Sequence, residues 1–250
     1  MHPAFAETSH RPWPLPRGPW IIEQQWHNLL FAHWRVAHEA LRPLIPPVLE
    51  IDTYGNDAWL GVVPFEMQGV RFRWLPPIPT ASRFSELNVR TYVRFADRPG
   101  VWFFSLDAAS ALAVIGGRNA FHLPYFRARM SCAESSGTIN YASRRTHANA
   151  PSADFQASYR PTGSPFHAQP GSLEHFLAER YCLYATDRSG NLLRSEIQHP
   201  PWPLRSADAQ IAKNTMASSL PLLLGKPDQL HFSQRQDVVV WPLRSLSHHL

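Results

Sequence analysis

Proline constrains this chain more than any other residue type. It occurs 24 times in 250 residues, about twice average usage. Inside a helix a proline removes a backbone hydrogen bond and clashes with the preceding turn. Long uninterrupted helices are therefore disfavoured, and strands joined by Pro-rich connections are favoured. The segments between the prolines agree. In ELNVRTYVR, residues 86–94, the apolar-side set Leu87, Val89, Thr91 and Val93 alternates with Glu86, Asn88, Arg90, Tyr92 and Arg94. Strict period two puts one set on each face of a strand. If the polar set faces water, the strand is ordinary sheet surface; if it faces an enclosed cavity, it is a binding site. Pattern alone favours water, because antiparallel sheets commonly solvate one face.

The same reading places strands along WHNLLFAHWRV (from Trp26), LEIDTY and AWLGVVPFEM, the last two joined by a turn at Gly55-Asn56. VWFFSLDAA, the pair YFRARMSC and TINYASRR around SSG, DFQASYRP, YCLYATD, NLLRSEIQ and QDVVVWPL continue the series. HEALRPLI makes only a short helix before Ile45-Pro46-Pro47 stops it. Ser110 and Ser172 are placed to cap two further helices, SALAVIGGRNAF and SLEHFLAERY. The sum is about ten short, mostly antiparallel strands and two or three helices. This is an α+β architecture whose strands wrap into a barrel or cone over residues 19–250, preceded by a loose Pro-rich arm at residues 1–18. The loop RFRWLPPIPT, residues 71–80, is a candidate lid.

Net charge is +5, but the basic residues are scattered arginines, with Lys213 and Lys226 the lone lysines, so a nucleic-acid partner is not expected. Cys132 and Cys182 form no CxxC pair and suggest a reducing compartment. No apolar run reaches signal-peptide or membrane-span length. A cytoplasmic chain with no membrane partner is the expectation. Aromatic residues on several strand faces make a homo-oligomer plausible.

Nucleotide-binding glycine motifs and the GxSxG elbow are absent. His27 and His33, six apart in one strand, share a face by period two, but no third ligand joins them, so neither metal nor cofactor is expected. Two carboxylates carry more interest. Glu66 follows the apolar run VVPF, and Glu86 opens the polar face of the strand above. An acid in apolar surroundings must be paired, hydrogen-bonded or protonated. Glu86 and Arg90 share a face, but four residues of strand separate them by roughly 13 Å. They would grip opposite ends of a ligand rather than each other. In FHLPYFRARM, Tyr125, Arg127 and Arg129 fall on one face, opposite Phe126, Ala128 and Met130. The bland reading of these residues is a rim carboxylate and surface arginines.

The stretch RGPWIIEQQWHNLLFAHWRVAHEALRPLIPPVLEID, from Arg17, resembles the N-terminal region of acetoacetate decarboxylases. SELNVRTYVRF, VWFFSLDAASALA, LPYFRARM, HPPWPL and QDVVVWPL are more similar to the YqjF-like family of bacterial proteins in the same superfamily. The likeness to that branch spans about residues 18–245. The likeness to the decarboxylases proper is clearest over about residues 18–130. It implies a cone-shaped antiparallel β-barrel with an internal site, so the polar face of residues 86–94 would look inward. It also implies two cavity glutamates, here Glu66 and Glu86. The decarboxylase nucleophile is one of two lysines after a proline, and it forms a Schiff base with a keto acid. In LPYF those positions hold Tyr125 and Phe126. A cavity arginine is also replaced, with His27 nearest by alignment. Imine chemistry is therefore not expected.

Three functions stay open. In the first, a small carboxylate or keto acid binds in the cone. Arg90, Arg127, His27 and Asn88 would hold it, and Glu86, Glu66 and Tyr125 would supply acid–base catalysis of a decarboxylation, hydration or isomerisation. In the second, the same cavity binds a metabolite without catalysis. In the third, aromatic side chains plug the cone and the chain serves a structural or partner-binding role.

Overall fold

A computed structural model describes residues 2–77 and 81–246 of the chain. Residues 78–80 of the candidate lid lie outside the described residues. The strands are β1 (Ile22–Val36), β2 (Glu50–Ile51), β3 (Ala58–Phe72), β4 (Phe84–Phe95), β5 (Arg98–Ala108), β6 (Tyr125–Ser135), β7 (Thr138–Arg145), β8 (Asp154–Phe166), β9 (Cys182–Thr186), β10 (Leu192–Gln198), β11 (Leu204–Asn214), β12 (Gln229–Val240) and β13 (Arg244–Ser245). Three short helices intervene: α1 (His38–Leu41), α2 (Ala111–Ala120) and α3 (Leu173–Ala178). The serine caps are present. Ser110 Oγ accepts from the Ala113 amide at 3.2 Å, and Ser172 Oγ from the His175 amide at 3.2 Å.

All strands join one ladder, ordered β13-β10-β9-β5-β6-β7-β8-β11-β12-β1-β3-β4-β2. Two additional pairings, β4 with β5 and β10 with β12, make the order return on itself. One circuit runs β5-β6-β7-β8-β11-β12-β1-β3-β4 and the other β5-β9-β10-β12-β1-β3-β4. The described pairings are antiparallel except β5 with β6 and β5 with β9.

Strands β12, β1, β3, β4 and β5 belong to both circuits, and along the middle of β1, β3 and β4 successive residues are buried on both faces. On the larger circuit's side, Leu30, Val62, Leu87, Val89, Tyr141 and Phe155 meet in the main apolar core. Burying each such aromatic or aliphatic side chain contributes about 1.5–3 kcal/mol.

The strands are longer and more numerous than period-two reading alone suggests: β1 and β3 each run 15 residues. β11 escapes that reading because its inward positions are Ala207, Ala209 and Ile211. Two of these are alanines, which carry little strand preference.

A second departure lies in β1. Between His27, opposite Glu66, and Ala32, opposite Val62, β1 spends five residues against four on β3. Asn28 sits there at φ +54°, a left-handed conformation that asparagine tolerates better than most residues. The extra residue swaps the faces. His27 and His33 therefore lie on opposite sides of the sheet, not on one.

The N-terminal arm is docked rather than loose. Ala4, Arg11 and Trp13 are buried. Glu196 on β10 accepts from Arg11 Nη2 at 2.8 Å, Trp13 Nε1 at 2.7 Å and Arg98 Nη1 at 2.8 Å, and Arg194 Nε lies 3.1 Å away. None of these partners is near Glu196 in sequence except Arg194, so pattern reading could not see the cluster.

Candidate ligand cavity

A cavity of about 360 Å³ lies on the smaller circuit's side of the shared strands. Trp26, Leu29 and Phe31 of β1, Val63, Phe65 and Met67 of β3, and Val101 and Phe103 of β5 supply much of its wall. The bulge at Asn28 is what lets Trp26 and Phe31 share that wall. The even-numbered residues of β4 supply its polar strip: Glu86, Asn88 and Arg90 line the cavity, while Leu87 and Val89 face the core. The cavity removes the plugged-interior reading.

Among the described cations that line the cavity, Arg71 is paired with Glu23 and Arg180 with Asp52, and Arg90 is the one without a carboxylate partner. It is 9% exposed and makes no ion pair among the described residues. Its Nη2 donates to the Leu177 carbonyl at 3.3 Å and to Tyr92 Oη at 3.5 Å, and its Nε is buried without a partner. Arg180 also lines the cavity but is held by Asp52 at 2.6 Å. The two arginines thus differ in what they lack. Burying a charge without a counter-ion costs several kcal/mol, so Arg90 is the group that an incoming anion would relieve.

Below Arg90, Tyr92 Oη donates to the Leu177 carbonyl at 2.8 Å and lies 2.6 Å from His33 Nε2. Burial first, then Arg90 and His231, push the His33 pKa well down, so His33 is neutral. It serves as a donor to Tyr92. The Asn88 Oδ1 has no partner either.

Higher in the same strip, Tyr125 Oη donates to Glu86 Oε2 at 3.0 Å. Glu86 is 2% exposed, and its pKa is pushed up to about 8. Burial is the main cause, the Tyr125 hydrogen bond opposes it, and the nearby Asp107 adds to it. Glu86 therefore holds a proton through neutral pH. Asp107 faces away from the cavity and is paired with Arg145 at 2.6 Å.

The family model for DUF2071, described as an uncharacterized conserved protein, matches residues 23–237. This chain belongs to the DUF2071 family. A relative, the uncharacterized protein YqjF of Bacillus subtilis strain 168, is 47% identical over 234 residues, covering 93% of this chain and 96% of the relative. Solved structures share the fold at low identity. Acetoacetate decarboxylase from Legionella pneumophila superposes with a TM-score of 0.64 at 12% identity, covering 99% of this chain and 96% of that one. An enduracididine biosynthesis enzyme, MppR, complexed with pyruvate, has a TM-score of 0.61 at 16% identity, covering 94% and 93%. An acetoacetate decarboxylase-like enzyme from Sphingomonas wittichii RW1 gives 0.61 at 11% identity, covering 96% and 99%.

In this DUF2071 chain four of the seven candidate residues, Glu86, Asn88, Arg90 and Tyr125, line one cavity. The other three do not. Glu66 sits between Phe65 and Met67, so its side chain takes the opposite face of β3, where Arg83 Nη2 approaches it at 3.7 Å. His27 faces the same way, directly across from Glu66, because it precedes the bulge. Arg127 is exposed. The face it shares with Tyr125 is covered by α2 only at the start of β6. No lysine lines the cavity, and Lys213 is paired with Asp154 at 2.8 Å. No group of three or more His, Cys, Asp or Glu suited to a metal occurs among the described residues, and no helix there is long and apolar enough to cross a membrane. Tyr92 and His33 lie behind Arg90 and outside the lining set, and sequence reasoning named both without giving them this supporting role. Tyr92 was legible as the next even residue of β4. His199 and Arg180 also line the cavity and carry no sequence signal, since they arrive from loops.

Two adjacent glycines of α2 make a paired test of the Tyr125 position. A Cβ on Gly117 would lie 2.2 Å from Tyr125 Cδ2, whereas one on Gly116 meets nothing within 4 Å. Gly117→Ala is expected to expel the tyrosine ring, break its bond to Glu86 and cost about 1–3 kcal/mol. Gly116→Ala is expected to stabilise the helix by up to about 1 kcal/mol. Urea denaturation of both variants measures the difference. Equal stabilities would mean that Tyr125 is not wedged against α2.

Proposed function

We propose that the chain holds a small carboxylate or keto acid inside a cone-shaped β-barrel and acts on it by acid–base chemistry without an imine. The carrying observation is Arg90, a buried guanidinium with no carboxylate partner, in the same cavity as the Glu86–Tyr125 pair. The strand order that returns on itself supports the barrel. The complex of MppR with pyruvate supports a keto-acid ligand for a fold of this kind.

In this reading Arg90 takes the ligand carboxylate through two N–H donors. Protonated Glu86 gives its proton to a carbonyl or leaving oxygen of the ligand, and Tyr125 stabilises the carboxylate left behind by the hydrogen bond it already makes. Proton transfer from a carboxylic acid with a pKa near the working pH is worth about 10²–10⁴ in rate. With Tyr125 where a nucleophilic lysine would stand, decarboxylation through an iminium has no starting group. Hydration, isomerisation or direct decarboxylation of an activated acid remain.

The lack of a cavity lysine also favours a second reading, a binding protein that uses the same cavity without turnover. Incubating the protein with 2-oxo and 3-oxo acids and following them by NMR separates the two. Catalysis predicts product formation that falls about 10²–10⁴-fold in Glu86→Gln while binding, read by calorimetry, changes only a few-fold. Binding without product supports the second reading, and binding that survives Arg90→Ala sinks both.

A further inference from the structure

The walls of the cavity exceed what a small acid needs. At about 30 Å³ per water, its 360 Å³ corresponds to roughly a dozen waters. A molecule of pyruvate's size leaves most of that wall uncovered. Among the described lining residues, the polar atoms that still need a partner are Arg90 Nε and Asn88 Oδ1 on β4 and the uncharged indole N–H groups of Trp26 and Trp202, so β4 holds the unpaired charge. Among the other polar lining residues, Arg180 is held by Asp52, Arg71 is held by Glu23 at 2.6 Å, and both His199 ring nitrogens lie within 3.2 Å of carbonyl oxygens. Leu29, Phe31, Val63, Phe65, Phe103 and Leu106 present nothing polar to a ligand.

The cavity also has a direction. Phe84 begins β4 near the top of the cavity, and Arg90 lies six residues deeper, roughly 20 Å along the strand. At the top, Phe72, Leu75 and Leu112 line the cavity while remaining 51%, 56% and 52% exposed. That end therefore meets the surface through an apolar rim.

We infer that the ligand is an amphipathic acid, with its carboxylate on Arg90 at the floor and an apolar chain running past Glu86 and Tyr125 to the rim at Phe72, Leu75 and Leu112. This inference rests on the acid-binding reading of the cavity and adds the tail. The rim gives the tail its entrance, and the uncharged wall gives it a surface to cover. Arg90 fixes which end goes in first.

The test is a calorimetric series of straight-chain saturated acids from three to fourteen carbons, kept below their micelle concentrations, with the matching alcohols as controls. The dissociation constant of the acids is expected to fall about fourfold per added methylene, then level off when the chain reaches the rim. Arg90→Met is expected to weaken every acid more than tenfold and leave the alcohols unchanged. Leu112→Ser, on the exposed face of α2, is expected to weaken only the long acids. Acids that bind through Arg90 with no dependence on length would overturn the amphipathic ligand and leave the acid-binding cavity standing. Acids and alcohols that bind alike, or acids that do not bind at any length, would overturn both.

Discussion

Replacing Glu196 with alanine is expected to lower the stability of the protein by about 3–5 kcal/mol, the range for removing one partner of a buried ion pair. The reason lies in what is left behind. The Arg11 side chain is 2% exposed, and Glu196 is its carboxylate partner. Burial lowers the Arg11 pKa, and the negative charge of Glu196 does the most to hold it up, so the pair carries the charge together. Without Glu196 the guanidinium must stay buried and uncompensated, or leave with the arm. Leaving costs the burial of Trp13 and of Ala4, which packs near Val239 and Trp241. Urea denaturation measures the loss, and limited trypsin digestion at Arg17, which precedes Gly18, reports whether the arm has been released. Glu196→Gln keeps an acceptor but no charge, and its stability is expected to fall between those of wild type and Glu196→Ala. A loss under 1 kcal/mol in Glu196→Ala would show that apolar contacts alone hold the arm.

The second large effect is on pH. Glu86 has a pKa of about 8 in the folded protein and an ordinary glutamate value when unfolded. Between those values the native state binds the extra proton, so stability falls as pH rises, by about 1.4 kcal/mol per pH unit. From pH 6.5 to pH 8.5 the protein is therefore expected to lose about 2 kcal/mol through this group. Glu86→Gln is expected to remove that slope. Asp107, raised by burial and held down by Arg145, contributes the same sign in both proteins, so the difference isolates Glu86. The window begins at pH 6.5 because His33, His199 and His231 have depressed values. Their contribution is lost as pH falls below the unfolded histidine value. It ends at pH 8.5 because Cys182 and the buried tyrosines begin to add their own loss above it. Parallel slopes in wild type and Glu86→Gln would show that Glu86 is ionised in the native protein.

Much of this molecule can be read from period two. The polar face of β4 is visible as the even residues from Glu86 to Tyr92, and resemblance supplied the direction that pattern lacked. The hairpin of β6 and β7 and the serine-capped helices are legible because their signals are local. The rest depends on contacts far apart in sequence or on breaks in the period. One inserted residue at Asn28 reverses the faces of His27 and His33, and nothing in WHNLLFAHWRV announces it. Arg127 has the alternation of an inward residue, but the cover over its strand ends at Tyr125. Glu66 has an apolar context yet takes the face opposite to its neighbours Phe65 and Met67. Glu196 gathers Arg11, Trp13 and Arg98 from separate segments, and a pairing of that kind leaves no pattern in the chain.

The pairing of β1 with β12 also sets an order in time. Ile22 lies opposite Val240, and both line the cavity. At ordinary rates of synthesis Val240 is made about 10–45 s after Ile22. Throughout that interval β1 has no partner on its β12 side, and the cavity wall has a seam. An unpaired strand edge is where chains stick to one another. A nascent chain of this protein is therefore exposed to aggregation until β12 has been made, and a truncation that removes β12 takes away a side of the cavity rather than a tail.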